Sequence, residues 1–145
     1  MILHALHLTI NDSDLTANLP KAFEQVKQIK DPELRFENNS VVFAGKFLAG
    51  PLPVPFQAHC ELKTADDGET LVVRLSKVKA AFFSGGGEAI VSAIKQQMPV
   101  IDGIRAEGDS FYIRVTAIAS QRGFGITGRI KEITVTPGKL TLNIG

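Results

Sequence analysis

The chain has 145 residues, a single cysteine, and 16 basic against 15 acidic residues, which give a net charge of +1. The length corresponds to one ordinary domain, the lone cysteine excludes an internal disulfide, and the balanced charge disfavours nucleic acid and other broadly anionic partners. Residues 1–10 contain no Lys or Arg and alternate in polarity, unlike a signal peptide, and no apolar run reaches the roughly 18 residues of a membrane-spanning helix. The lone cysteine is compatible with the cytoplasm or with export, so the compartment stays open, and the sequence as given indicates a cytoplasmic or membrane-peripheral protein.

The chain begins with a predicted strand and a predicted helix. Alternation of apolar and polar residues indicates a strand over residues 6–10. Apolar residues at helical spacing predict a helix over residues 15–30, with Asp14 or Asn18 as its N-cap and the following Asp-Pro pair as its stop. Pro20 is expected in the first turn, because a proline deeper in the helix removes a hydrogen bond.

Strands dominate the rest of the chain. Regular alternation predicts four strands, over residues 33–38, 40–48, 54–64 and 70–79. An apolar stripe then predicts a second helix over residues 88–98, ended by Pro99. The remaining predicted strands cover residues 100–107, 110–119, 127–136 and 139–144.

Two short stretches of the sequence repeat each other. Residues 34–40 and 104–110 share Arg, Glu and Ser in register around a dipeptide, Asn38-Asn39 or Gly108-Asp109. Both dipeptides tolerate the positive φ of a two-residue hairpin turn, and each stretch follows a predicted helix. The predicted order is therefore β-α-β-β-β twice, plus a closing strand.

This order predicts an α+β fold in which a long twisted antiparallel sheet carries two packed helices. We expect one domain over residues 1–145, with an internal duplication at approximately 1–69 and 70–145. Strands of about ten residues span roughly 30 Å and must twist and curl. The predicted inward positions combine large side chains with small ones, at Phe36, Phe43, Phe56 and Phe111 and at Gly45, Ala58, Cys60, Ala117 and Ala119. The interior is then either a container for a ligand or a core filled by the two helices.

Catalytic and metal-binding patterns are weak. His4 and His7 point to opposite faces of a strand, and His59 and Cys60 likewise diverge, so neither pair predicts a metal site or a Cys-His site. Cys60 is expected to be a small buried core residue. No serine lies in a Gly-x-Ser-x-Gly motif, which disfavours a hydrolase.

Glycine-rich and acidic motifs have structural explanations. Residues 84–87, Ser-Gly-Gly-Gly, precede a helix but lack the Lys and Ser/Thr of a P-loop, so they predict a flexible turn. The acidic clusters at residues 12–14 and 66–68 lie where helix caps and turns favour such side chains.

Two loops are candidates for contact with a membrane or a partner. Residues 49–55 are apolar and stiffened by prolines, although connecting loops are normally polar. Residues 121–126 place Arg122, which can meet a phosphate, beside Phe124 and Ile126. The alternative for both loops is that their apolar side chains fold back onto the core.

A family resemblance rests on the order of elements and on three short motifs. Residues 11–15, Asn-Asp-Ser-Asp-Leu, precede the first helix, the sequence Pro53-Val54-Pro55-Phe56 opens a strand, and residues 87–99 form the second helix. Over residues 8–144 the chain resembles the LmeA-like and YpmS-like bacterial proteins, which are similar in turn to the tubular lipid-binding (TULIP) superfamily. The resemblance implies a long sheet wrapped around a helix, an apolar groove, and binding of phospholipid or another acyl-chain molecule without catalysis. Members of that group usually carry an N-terminal signal or anchor, which this sequence does not show.

The leading hypothesis is therefore a non-enzymatic lipid-binding protein that needs no metal and no cofactor. Its ligand contacts are expected at inward-facing strand positions and on the helix stripes: Phe23, Val26, Phe43, Phe56, Ile90, Ile94, Phe111, Ile113 and Val115. Its membrane or head-group contacts are expected in the apolar loops: Leu52, Arg122, Phe124 and Ile126. The alternative is a filled-core interaction module, in which an edge strand over residues 139–144 pairs with a strand of a protein partner.

Overall fold

A computed structural model describes residues 2–80, 86–98, 102–121, 123 and 125–145, and of Ile2 and Leu3 only the backbone. Its elements are, in chain order, β1 (Ile2–Leu3), β2 (Leu6–Asn11), α1 (Asp12–Ala22), β3 (Ile29–Glu37), β4 (Ser40–Ala49), β5 (Leu52–Thr64), β6 (Thr70–Ala80), α2 (Gly86–Gln97), β7 (Ile104–Glu107), β8 (Ser110–Arg114), α3 (Val115–Gln121), β9 (Gly125–Ile126), β10 (Ile130–Thr136) and β11 (Lys139–Ile144). The α+β class and the long antiparallel sheet with packed helices are confirmed. The predicted order of elements is present, and β1, α3 and β9 are additional. Among the described helices, none is long and apolar enough to cross a membrane.

The main sheet has six strands in the order β3-β4-β5-β6-β8-β7, with every neighbouring pair antiparallel. Its two faces differ in polarity because successive side chains of a strand point to opposite sides. Along β5, Phe56, Ala58 and Cys60 are buried on one face, termed the inner face, whereas Gln57 and Glu61 are exposed on the outer face. The regular alternation predicted for this strand is confirmed.

Two layers cover the inner face. α2 packs against β6, β7 and β8 and buries Ile90, Val91 and Ile94. β10 packs across β3, β4 and β5, and its Val135 is buried. Side chains of both layers belong to one hydrophobic cluster.

The second sheet has three strands in the order β10-β11-β2, all antiparallel. β11 is its central strand, since Leu142 pairs with Ile133 of β10 on one side and with Leu8 of β2 on the other. The prediction that the strand over residues 139–144 lies at a sheet edge is therefore wrong. The edge strands of this sheet are β10 and β2.

The two repeated turn motifs form the predicted two-residue hairpins. Glu37 pairs with Ser40 across Asn38-Asn39, and Asn39 has a φ of 59°. Glu107 pairs with Ser110 across Gly108-Asp109, with a φ of 60° at Gly108. The positive φ of these turns explains why Asn and Gly occur at them.

α1 begins earlier than predicted. Its first residue is Asp12 and its N-cap is Asn11, so neither Asp14 nor Asn18 caps it. Pro20 lies in the last turn instead of the first. The two acidic side chains of residues 12 and 14 thereby lie in the first turn, where they interact favourably with the helix dipole.

α1 also ends earlier than predicted. It stops at Ala22, and residues 29 and 30 belong to β3, where Ile29 pairs with Phe47 of β4. Val26 and Ile29 are nevertheless buried. Their apolar spacing was correctly associated with the core, but pairing with β4 replaces the end of the predicted helix.

The strand predicted over residues 110–119 is also shorter. β8 ends at Arg114, which pairs with Thr70, the first residue of β6, and one further backbone hydrogen bond joins Val115 N–H to Glu69 O at 3.0 Å. The chain continues as α3, which places Ala117 and Ala119 on a helix instead of on the sheet. The strand predicted to begin at residue 100 is β7, which begins at Ile104 in the described chain. The strand predicted to begin at residue 127 is β10, which begins at Ile130.

α1 covers the free edge of β3. The Thr16 hydroxyl accepts a hydrogen bond from Leu34 N–H at 3.1 Å and donates one to Leu34 O at 2.9 Å. One turn earlier, Asp12 Oδ2 accepts a hydrogen bond from Phe36 N–H at 3.0 Å. These backbone groups of an edge strand would otherwise be open to pairing with another chain. Two side chains four residues apart on one helix therefore close this edge.

Candidate functional site

Most of the predicted ligand-binding residues belong to one hydrophobic cluster on the inner face, which α2 and β10 cover. Five are buried members of the hydrophobic cluster, namely Val26, Phe43, Phe56, Ile90 and Ile94, and three half-buried ones pack against it, namely Phe23, Phe111 and Val115. Val115 reaches the cluster from α3, not from the strand predicted for it. Ile113 is half-buried on β8, where it is paired with Leu71 of β6 and Ile104 of β7.

Three phenylalanines connect this cluster to the surface. The ring centroids of Phe56 and Phe43 are 5.5 Å apart, and those of Phe43 and Phe23 are 5.7 Å apart. Phe23 is only half-buried and lines a surface cleft of about 220 Å³ together with Val26. The three rings, termed the phenylalanine path, therefore form a continuous apolar connection from that cleft to β5.

The cleft at the end of the phenylalanine path combines apolar and charged side chains. Its lining is Pro20, Phe23, Glu24, Val26, Lys27, Ile29, Lys30, Asp31 and Pro32. Much of it comes from residues 23–28, which connect α1 to β3. Gln28 joins this connection to its neighbours, since its N–H donates to Gln97 Oε1 of α2 at 3.4 Å and its carbonyl accepts from Leu48 N–H at 2.8 Å.

A second, more open cleft of about 660 Å³ lies on the outer face. Its charged lining consists of Asp31, Glu33, Lys46 and Lys79, and Lys46 Nζ lies 3.4 Å from Asp31 Oδ2. Gly45 contributes to its floor, where a Cβ would lie 3.0 Å from the carbonyl oxygen of residue 30. Two acidic and two basic groups line this cleft, as they do the cleft at Phe23.

The predicted head-group contacts do not converge. Leu52 is 59% exposed at the start of β5, whereas Ile126 is half-buried in β9 and packs against the core. Arg122 and Phe124 lie outside the described residues. At about 3.3 Å per residue, the 13 residues of β5 span on the order of 40 Å. Leu52 begins this strand, whereas the segment that follows Ile126 contacts the turn after its last residue, where Ile130 N–H donates to Gly68 O at 2.8 Å. Leu52 and Ile126 therefore lie near opposite ends of the main sheet.

The single thiol is a core group, as predicted. Cys60 is 4% exposed, and burial raises its pKa to about 12. Such a thiol is protonated at neutral pH and is a poor nucleophile and a poor metal ligand. His59 lies on the opposite face of β5, paired with Val42.

The other histidines have separate partners. His4 Nδ1 bonds the Thr127 hydroxyl, and His7 Nδ1 bonds the side-chain oxygen of Asn143. Within the described ranges, no group of three or more His, Cys, Asp or Glu side chains is arranged to hold a metal ion.

The acidic turn after β5 has the structural role predicted for it. Asp67 Oδ1 accepts hydrogen bonds from Glu69 N–H at 2.8 Å and Thr70 N–H at 2.9 Å, and Oδ2 accepts from the Thr70 hydroxyl at 2.8 Å. The bond from Glu69 N–H, followed by the two from Thr70, lowers the pKa of Asp67. This carboxylate is therefore committed to the turn.

Sequence reasoning missed the charged surroundings of the phenylalanine path. Lys27 and Lys30 line its cleft, and Lys46 is paired with Lys30 across β3 and β4. No sequence signal groups them, because they lie on different segments that only the sheet and the connection before it bring together.

Comparison with known proteins gives no significant match, whether to a family model, to a curated protein or to a solved structure. The resemblance to the LmeA-like proteins therefore stays a prediction.

Proposed function

We propose that the protein binds an acyl-chain amphiphile, such as a phospholipid, without catalysis, between the inner face of the main sheet and α2. The phenylalanine path supports this proposal most strongly, because its three contacting rings join a surface cleft to the core. Lys27 and Lys30 line the same cleft and can meet an anionic head group.

Binding requires that the connection at residues 23–28 move outward. Phe43 and Phe56 are buried and in ring contact, so an acyl chain must take space that Phe23 and its neighbours occupy. Each methylene that the ligand transfers from water contributes about 0.8 kcal/mol. A chain with about eight buried methylenes thus gains about 6 kcal/mol, from which the free energy of moving the connection is subtracted.

Native mass spectrometry tests this proposal directly. The purified chain is incubated with lysophosphatidylglycerol below its critical micelle concentration and then transferred to a volatile buffer. We expect a one-to-one adduct that survives gentle activation, and its absence over the whole accessible concentration range would contradict the proposal.

A matched pair of variants locates the binding site. Phe23→Ser removes the outer ring of the phenylalanine path, and Ile133→Ser removes a half-buried side chain that packs against the same cluster from β10. We expect Phe23→Ser to weaken the adduct at least tenfold and Ile133→Ser to leave it unchanged at a similar loss of stability. Equal weakening by both would assign the effect to general destabilisation.

A second candidate function is pairing of β2 with a strand of a protein partner. β2 is an edge strand, its six residues carry no Asp, Glu, Lys, Arg or Pro, and its Leu8 is 39% exposed. Such features leave an edge open to β-augmentation. Sedimentation velocity over a concentration series tests self-pairing, with Leu8→Lys expected to abolish any association. A monomer at all concentrations would exclude a second copy as the partner.

A further inference from the structure

The end of the β4–β5 hairpin is an exposed apolar surface with no polar side chain. Residues 47–54, Phe-Leu-Ala-Gly-Pro-Leu-Pro-Val, carry no charged and no hydrogen-bonding side chain, and residues 49–53 are all exposed. We refer to residues 49–53 as the hairpin tip. A turn in water normally consists of polar residues, so the composition of this tip needs an explanation.

The hairpin tip is ordered by backbone pairing. Ala49 pairs with Leu52, and Leu48 pairs with Pro53, so β4 and β5 stay paired up to a two-residue turn. Gly50 supplies the φ of 63° that this turn needs. The apolar side chains of the tip are therefore held outward by a paired hairpin instead of folding back onto the core.

Positive charge is concentrated at the same end of the molecule. Lys30 and Lys46 are directly paired across β3 and β4, an arrangement of like charges that destabilises a sheet. α1 and α2 both end here, because α1 leads into the connection at residues 23–28, to which Gln97 of α2 is hydrogen-bonded. Five exposed lysines thus lie at this end against two exposed carboxylates: Lys21, Lys27, Lys30, Lys46 and Lys95 against Glu24 and Asp31.

The opposite end of the main sheet has a different character. Its β5–β6 turn has no exposed apolar residue, and its acidic side chains have basic neighbours, since Arg114 lies 3.8 Å from Glu69 and Arg129 donates to the carbonyl of Asp66. The net charge of +1 for the whole chain therefore includes an excess of positive charge beside the apolar tip.

We propose that the hairpin tip docks on an anionic lipid surface. Leu52, which is 59% exposed, enters the boundary between head groups and acyl chains, and the surrounding lysines contact lipid phosphates. The occupant is a membrane and not a protein groove, because an apolar tip beside several cations is complementary to a surface that is anionic outside and apolar beneath. Each lysine close to such a surface strengthens binding about fivefold.

The docking proposal does not depend on the proposed uptake of an acyl chain, although it brings the cleft at Phe23 to the membrane. The two ideas therefore fail separately. Absence of an adduct with a soluble lysolipid counts against uptake only, whereas absence of vesicle binding counts against docking only.

A tryptophan probe tests docking on the full chain. The natural sequence contains no tryptophan, so Leu52→Trp places a single reporter at the hairpin tip and Leu8→Trp places one on exposed β2. With vesicles of phosphatidylcholine and phosphatidylglycerol, we expect a blue shift and protection from a soluble quencher for Leu52→Trp and no change for Leu8→Trp. Equal responses, or none at position 52, would overturn the proposal.

Charge variants in a vesicle co-sedimentation assay test the role of the lysines. Lys30→Gln with Lys46→Gln removes two positive charges beside the hairpin tip, and Lys131→Gln with Lys139→Gln removes two from the small sheet. We expect at least a tenfold loss of binding for the first pair and less than a twofold loss for the second, with melting temperatures measured for both. Equal losses would assign binding to net charge and contradict docking through the hairpin tip.

Discussion

The two hydrogen bonds between Thr16 of α1 and Leu34 at the edge of β3 can be tested by a single substitution. Thr16→Val replaces the hydroxyl by a methyl group of similar size and leaves Leu34 N–H and Leu34 O without their partner on α1. Thr and Val have similar helix propensities, so the change acts mainly through these two hydrogen bonds.

The expected loss of stability follows from the two hydrogen bonds that Thr16→Val removes. Each hydrogen bond contributes about 0.5–1.5 kcal/mol net, and an unsatisfied buried group loses more. Leu34 is half-buried, so water reaches these groups in part. We expect Thr16→Val to lower the free energy of unfolding by about 1–3 kcal/mol, and at about 2–4 °C per kcal/mol a 2 kcal/mol loss lowers Tm by about 4–8 °C.

Two measurements check this prediction. Chemical denaturation gives the free energy of unfolding of Thr16→Val and of Thr16→Ser, which keeps the hydroxyl and acts as the control. Hydrogen exchange reports whether the Leu34 amide loses protection in Thr16→Val before the amides of central β5 do. A change below about 0.5 kcal/mol, or equal losses in the Val and Ser variants, would refute the assigned role of Thr16.

Three further predictions follow from the core and the turns. Phe43→Ala removes a buried ring that contacts Phe56, and we expect urea denaturation to show a loss of about 3–5 kcal/mol. Cys60, with its raised pKa, should react with a thiol reagent at pH 8 only as the protein unfolds, and rapid labelling of the native protein would contradict its burial. The lowered pKa of Asp67 means that its carboxylate stabilises the fold above the ordinary Asp value of 3.8 and loses this effect as the pH falls through the lowered value. We therefore expect Asp67→Asn to melt at a lower temperature than the wild type near neutral pH, with the difference closing only as the pH falls below 3.8 and through the lowered pKa of Asp67, and a difference that stays constant would contradict this role.

The local features of the fold follow from the sequence without further information. Alternation along β5 identifies its buried face at Phe56, Ala58 and Cys60, because only one side of a covered sheet is dry. The hairpin turns at residues 38–39 and 108–109 are predicted equally well, because positive φ restricts those positions to a few residue types. Each of these predictions concerns neighbours in the chain.

The errors arise where the tertiary structure offers a competing partner. The apolar spacing up to Ile29 predicts helix, but β4 was available to pair with that residue. β8 ends at Arg114, where the chain continues as α3, and no pattern within residues 110–119 reveals this change.

The candidate site residues also fall into those that the sequence predicts and those that only the tertiary structure brings together. Apolar ligand residues were predicted from inward-facing positions, and the structure brings most of them together because burial selects the same side chains. Leu52 and Ile126, grouped by the sequence on their apolar character alone, lie near opposite ends of β5. The lysines beside the hairpin tip come from segments distant in the chain, and only the packing of helix ends and strand ends at one edge of the sheet makes them neighbours. The sequence by itself thus determined which residues are buried and where the chain turns. The tertiary structure alone decided which strands pair and which charges meet, because pairing and proximity depend on partners far away along the chain.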